Sequence, residues 1–160
     1  WEQFLNSLIH KAKNWFASQH GDRFNLLVKK YLQTYAPTLK IFGKEIDFVQ
    51  ETGADLIVVK NEVVYCIECK AYAKSTAYQK GELKSFYQRN GMIKDAVEQA
   101  TKICYKARTS EALKDYRNFD WLVCTTSQEF LNPIDKYGML TPQIPKVCTV
   151  EELGIYFGQQ

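Results

Sequence analysis

Between Gly53 and Lys70 the chain reads G-A-D-L-I-V-V-K-N-E-V-V-Y-C-I-E-C-K: two short, β-branched apolar runs on either side of Asn61-Glu62. No other stretch restricts the fold as tightly, because such runs, bounded by turn residues, pair as a β-hairpin. A two-residue turn at Asn61-Glu62 sets Lys60 against Val63, and every other rung follows, since the turn fixes a hairpin's register. Asp55 then falls opposite Glu68. A four-residue loop preserves these pairs, whereas a three-residue loop breaks them. Opposed residues share a face with Cβ atoms ~4.5–5.5 Å apart, and Lys70, two residues beyond Glu68, lies on that face too. Two carboxylates and a lysine converge at one end of an otherwise apolar hairpin.

The flanking segments supply what such a sheet needs to bury its faces. Phe4, Leu5, Leu8, Ile9, Ala12, Trp15 and Phe16 recur at helical spacing, which predicts an amphipathic helix ending near Gly21. A second helix is expected from an N-cap at Asp22 to Pro37, with Phe24, Leu27, Val28, Tyr31, Leu32 and Tyr35 as its apolar stripe. Leu39–Phe42, Ile46–Val49, Asp55–Val59 and Val63–Cys69 read as short strands separated by Gly43, Gly53 and Asn61-Glu62. Residues from Ala73 to Gly91 read as a loop. Ile93, Ala96, Val97, Ala100, Ile103, Cys104 and Ala107 then mark a helix with one apolar face.

Phe119–Thr125 reads as a buried strand and Gln128–Pro145, with its three prolines, as a long irregular connection. Val147–Val150 is short and apolar, and Thr149 with Glu151 and Glu152 can cap a final helical turn or two. This order of elements predicts an α/β fold of three layers, a central mixed sheet flanked by helices. No internal repeat or low-complexity tract interrupts it.

At 160 residues and 46% hydrophobic content the chain is sized for a single domain, 1–160. It opens on Trp1, so a domain cut from a longer chain with further domains is expected. No apolar run nears the ~18 residues that cross a bilayer, and no signal-peptide pattern leads the chain. The five cysteines are scattered through apolar segments, as reduced thiols in a core would be, and a cytoplasmic setting without a membrane partner is expected. Cys66 and Cys69, although spaced C-x-x-C, lie in one strand and point to opposite faces, so they cannot readily share a metal or a disulfide. His10 and His20 have no Cys or Asp cluster near them and read as structural. No phosphate-binding glycine motif is present.

The net charge is only +3, but Lys70 to Arg108 holds nine basic residues against three acidic ones, +6, leaving −3 for the remainder. Lys74, Lys80, Lys84, Arg89, Lys102 and Lys106 lie there among Tyr72, Tyr78, Phe86, Tyr87 and Tyr105. Cations that follow a phosphate backbone, with aromatic rings for stacking, suit a nucleic-acid groove.

Opposed carboxylates within apolar strands destabilise a ladder unless something cationic compensates. Lys70 alone could do so as a salt bridge without chemistry. A hard divalent ion, Mg²⁺ or Mn²⁺, is the other solution, with Lys70 beside it to stabilise negative charge or activate water. The latter suits phosphodiester hydrolysis.

With Asp55 at the start of one strand and Glu68-Cys69-Lys70 at the end of the next, the sequence resembles the PD-(D/E)XK nuclease superfamily, the restriction-endonuclease-like fold. The E-C-K tripeptide looks like that of prokaryotic defence nucleases, Mrr-like enzymes among them. The resemblance implies a metal-dependent nuclease, a DNA endonuclease ahead of one acting on RNA, in restriction or anti-phage defence. Asp55, Glu68 and the main-chain carbonyl of Cys69 would hold Mg²⁺ or Mn²⁺, Lys70 would assist the attacking water, and Gln99 on the following helix would position it. Such folds commonly act as dimers, so a homodimer enters the expectation.

Two departures matter. Relatives carry an acidic residue in a G-x-x-F-E pattern on an early helix, where G-D-R-F-N here has Asn25, which weakens the case for a second metal. Asp47 is a second choice for the first acidic position. The rival reading is a catalytically inactive, nuclease-like module that binds nucleic acid or serves assembly.

Overall fold

The structure, a computed structural model, describes residues 20–72, 74–127, 129 and 146–158. Helix α1 covers 20–35 and is followed by β1 (Lys40–Gly43), α2 (Asp47–Thr52), β2 (Leu56–Lys60) and β3 (Val63–Lys70). A short α3 (Thr76–Gln79), the long α4 (Leu83–Arg108), β4 (Asn118–Thr125), β5 (Val147–Thr149) and α5 (Val150–Gly158) complete the order. The five strands form one mixed sheet in the order β1-β2-β3-β4-β5, antiparallel from β1 to β3 and parallel from β3 to β5.

The hairpin register is the expected one, with Lys60 against Val63 and Leu56 against Ile67. Asn61 and Glu62 both have positive φ, 49° and 62°, the backbone of a two-residue type I′ turn. Side chains alternate between the two faces. Leu56, Val58, Tyr65, Ile67 and Cys69 pack with Phe24, Val28 and Leu32 of α1 and with Leu153 and Phe157 of α5. Ile57, Val59, Val64 and Cys66 pack with Val49 of α2 and with Ile103, Cys104 and Ala107 of α4, and Val123 and Val147 meet Ile93, Ala96 and Val97 farther along that helix. The molecule is thus α/β, with helices on both faces of a mixed sheet. Cys66 and Cys69 lie in different clusters, on opposite faces as expected, and all five cysteines are buried. Among the described residues, no helix is long and apolar enough to cross a membrane.

Four expectations change. Helix α1 runs through Gly21 and Asp22, so Asp22 is no N-cap there; a glycine in a helix costs only ~1 kcal/mol, and the buried Phe24, Val28, Leu32 and Ala36 hold the helix down. Leu27 and Tyr35, assigned to its buried stripe, are 53% and 59% exposed. Ile46–Val49 is the start of α2 rather than a strand. Its apolar residues Ile46 and Val49 stand three apart, a helical spacing, and Gly53 at φ 80° terminates the helix, its N–H donating to the carbonyls of Val49 and Gln50. The stretch from Ala73 to Gly91 is largely helical, because α4 begins at Leu83. The helix expected over Phe4–Phe16, His10 and nearly all of Gln128–Pro145 lie outside the described residues.

The C-terminal cap matches expectation. Glu152 N–H donates to Thr149 Oγ1 (3.2 Å) while Thr149 N–H donates to Glu152 Oε2 (2.8 Å), a reciprocal capping box that opens α5.

Candidate metal centre

The hairpin ladder stops one rung short of Asp55. After Leu56 pairs with Ile67, the next N–H that β2 would receive, that of Cys69, goes instead to the Asp55 side chain: Cys69 N–H donates to Oδ2 at 2.7 Å. A carboxylate thus completes the sheet edge in place of a main-chain carbonyl. Because a strand residue's N–H and C=O point to the same edge, the Cys69 carbonyl projects to the Asp55 side as well. The other oxygen, Oδ1, accepts from Asn25 Nδ2 of α1 (2.8 Å) and pairs with Lys44 Nζ from the β1–α2 turn (2.5 Å).

Glu68 is 3% exposed and Asp55 6%. Lys70 Nζ donates to Glu68 Oε1 at 2.6 Å and to Gln99 Oε1 of α4 at 3.0 Å. The helical phase that puts Gln99 on the flank of the α4 apolar face is what lets it reach over the sheet end. Among the described residues, Glu68 Oε2 is buried without a hydrogen-bond partner, as is Asn25 Oδ1. Asp55, Glu68, Lys70 and Gln99 are therefore brought together, as the sequence predicts. Asp47 is not: it is exposed on α2 in a separate cleft with Phe48, Glu51 and Ser110.

Lys44 is the member the sequence analysis missed. Its ammonium balances Asp55 as Lys70 balances Glu68, so two carboxylates face two lysines. Burial works to lower the Lys44 pKa, but the hydrogen bond and charge of Asp55 outweigh it and raise it. Counting cations against carboxylates would have asked for a second lysine, although nothing in the local spacing names this one.

Burial, and then the charge of Asp55, push the Glu68 carboxyl above the ordinary carboxylate range against the pull of Lys70 and Lys44. A carboxyl whose pKa is higher folded than unfolded binds a proton more tightly in the native state, so stability falls as pH rises through the folded value. Glu68→Gln removes that cost and keeps an acceptor for Lys70. In EDTA the variant is expected to melt above wild type at about pH 7.5, with the gap closing as the pH drops toward ~4.3, the unfolded value. Thermal melts across that range check this, and a gap that widens toward acid contradicts it.

The donor set tests well against a hard divalent ion. Such ions take carboxylate and carbonyl oxygens, Mg²⁺ commonly through one or two carboxylates with waters completing the shell. Here two buried carboxylates stand at one sheet end, and one oxygen, Glu68 Oε2, has no hydrogen-bond partner among the described residues. Among the described residues, no group of three or more His, Cys, Asp or Glu side chains gathers for a metal. A cleft of about 250 Å³, lined by Asn25, Lys29, Lys44 and Glu45, opens onto Asp55. A larger one, about 680 Å³, lies at the Asn61-Glu62 end of the hairpin, a strand's length from the carboxylates, so size does not choose the site.

The basic residues do not form one patch. Lys80 and Lys84 are exposed between the end of α3 and the first turn of α4, and the Lys74 ammonium sits 5.6 Å from the Tyr78 ring centroid. Lys102 and Lys106 are exposed farther down α4, toward the hairpin end. Arg89, expected in the groove, is buried: Nε donates to Glu129 Oε2 at 2.7 Å, Nη2 to Glu129 Oε1, and the guanidinium lies 4.7 Å from the Tyr72 ring centroid. Its charge is spent inside the protein, so it cannot meet a phosphate.

Comparison of the chain with protein-family models, with curated proteins and with solved structures returned no match.

Proposed function

We propose that this domain is a metal-dependent nuclease of the PD-(D/E)XK type, hydrolysing phosphodiester bonds of nucleic acid, with DNA ahead of RNA. The observation that carries the reading is Glu68, 3% exposed with one oxygen unsatisfied among the described residues, beside a second buried carboxylate and a lysine. A burial this costly needs a return that a salt bridge does not supply, since replacing a buried ion pair by apolar residues is often neutral or stabilising. Asp55, Glu68 and the Cys69 carbonyl would hold Mg²⁺ or Mn²⁺. Such an ion supplies Lewis-acid polarisation of a phosphate oxygen and lowers the pKa of water.

The chain's own residues do the rest. Cys69 N–H fixes Oδ2 of the Asp55 carboxylate against the sheet, so that Oδ1 is held toward the cleft among Asn25 and Lys44. Lys70, held from two sides by Glu68 and Gln99, keeps its ammonium at the sheet end, where negative charge develops on a phosphate under attack. Gln99 positions Lys70 rather than reacting. Lys80 and Lys84 give the incoming backbone a positive approach.

The second reading, a binding module without catalysis, rests on Asn25, whose amide donates to Asp55 where a third carboxylate would strengthen metal binding. Supercoiled plasmid, duplex and single-stranded oligonucleotides of DNA and RNA, incubated with Mg²⁺, Mn²⁺ or EDTA, separate the two. The nuclease reading expects metal-dependent cleavage that falls by at least about 10²-fold in Glu68→Gln. Binding to these substrates without cleavage in any metal favours the module, and neither binding nor cleavage defeats both.

A further inference from the structure

The two oxygens of Asp55 are held unequally. Oδ2 accepts from a main-chain N–H inside β3, a bond that cannot be released without disturbing the strand. Oδ1 faces the cleft and is held by side chains, the Asn25 amide at 2.8 Å and the Lys44 ammonium at 2.5 Å. Lys44 is the exchangeable partner: its side chain is 50% exposed, it rises from the turn after β1, and a lysine ammonium is a point charge on a flexible four-carbon stem. A cation that approaches Asp55 from the cleft therefore meets an oxygen already occupied by another cation.

We propose that Lys44 is the built-in cation of this centre, holding Asp55 Oδ1 in the metal-free protein and giving way when a divalent ion enters. The proposal rests on the metal-site reading above and adds a competition to it. The charge balance makes the reason plain. With Lys44 and Lys70 in place the two carboxylates are neutralised and the apo fold does not carry two opposed buried charges. A divalent ion brings both charges of compensation itself, so one lysine becomes surplus, and the half-exposed Lys44 can return to water at small cost. Lys70, 22% exposed and clasped between Glu68 and Gln99, stays. Lys44 thus lowers metal affinity while protecting the empty site.

The test uses the full chain, with Mn²⁺ as probe in direct calorimetric titrations and melts in EDTA. Lys44→Met, which keeps the stem and loses the charge, is expected to bind Mn²⁺ roughly three- to tenfold more tightly than wild type, and to melt lower without metal. Lys44→Arg should bind no more tightly than wild type. Lys29→Met is the control, because Lys29 lines the same cleft but pairs with Glu45 rather than with Asp55. If Lys29→Met tightens binding as much as Lys44→Met, a general field effect is at work and displacement is overturned. Unchanged or weaker binding in Lys44→Met overturns it too, while leaving the metal site intact. Absence of Mn²⁺ binding in wild type and Lys44→Met alike defeats the metal site and this proposal with it.

Discussion

Lys70→Ala is expected to leave the fold standing and to remove about 10²–10⁴-fold of the cleavage rate, the range that one well-placed charge or proton-transfer group contributes. The structure makes the stability half of that expectation sharper than the sequence could. Read from the hairpin alone, Lys70 is the sole cation compensating two carboxylates, and its loss should cost several kcal/mol. In the folded chain Asp55 has its own lysine, its own amide and a main-chain N–H, so of the two carboxylates only Glu68 loses a partner. Burial and the charge of Asp55 already raise the Glu68 pKa, and a carboxyl that can take up a proton escapes the full cost of an unpaired buried charge. Lys70→Ala should therefore fold and still respond to Mn²⁺ in thermal melts, yet fail to cut. Circular dichroism, melts with Mn²⁺ and EDTA, and single-turnover cleavage measure the three separately. Retention of more than about a tenth of wild-type cleavage would remove Lys70 from the chemistry, since even the weaker of these contributions exceeds that.

What the sequence discloses about the fold follows from the range of each interaction. The hairpin is legible because its register depends on two adjacent turn residues and a period of two, all local to Gly53–Lys70. The capping box at Thr149 and Glu152 is legible for the same reason. Ile46–Val49 misleads because four apolar-rich residues between glycines fit a strand as well as a helix, and what decides is Val49 reaching the cluster with Ile57 and Ile103, contacts beyond any local pattern. The first turns of α4 are hidden by a charge in a core position. Phe86, Arg89 and Ile93 follow helical spacing, but the middle residue is an arginine, and only Glu129, forty positions on, makes that position buriable.

The site divides the same way. Asp55, Glu68 and Lys70 belong to the one stretch Gly53–Lys70, so the register brings all three to the same end of the sheet although the ladder itself stops before Asp55. Gln99 follows from the phase of α4. Lys44 does not, because its contact with Asp55 spans a turn and the whole of α2, and no spacing rule connects a turn lysine to a carboxylate across an intervening helix.

Arg89→Ala is expected to be the most destabilising of the single substitutions considered, costing about 3–5 kcal/mol, because it strands the carboxylate of Glu129 inside the protein. Both side chains are nearly sealed, 6% and 2% exposed, and the guanidinium is bidentate on the carboxylate. The same guanidinium faces the rings of Tyr72 and Tyr78 at 4.7 and 6.0 Å, and the Tyr78 ring packs at a tilt against Phe86, 4.5 Å between centroids. One arginine thereby joins the chain after β3, α3, the start of α4 and the chain after β4. For a domain of this size the loss corresponds to a fall of roughly 6–20 °C in Tm. Replacing both partners, Arg89→Met with Glu129→Leu, should recover most of it, because the cost lies in the unpaired charge more than in the missing attraction. The consequence reaches the candidate centre. Lys80 and Lys84 stand on the segment that Tyr78 and Phe86 fasten to Arg89, so the single variant should also weaken nucleic-acid binding without having touched a phosphate. Melts of the wild type, both single variants and the double variant measure the coupling. A loss below about 1 kcal/mol in Arg89→Ala would mean that the pair is solvated in solution, and that Arg89 is available to a ligand after all.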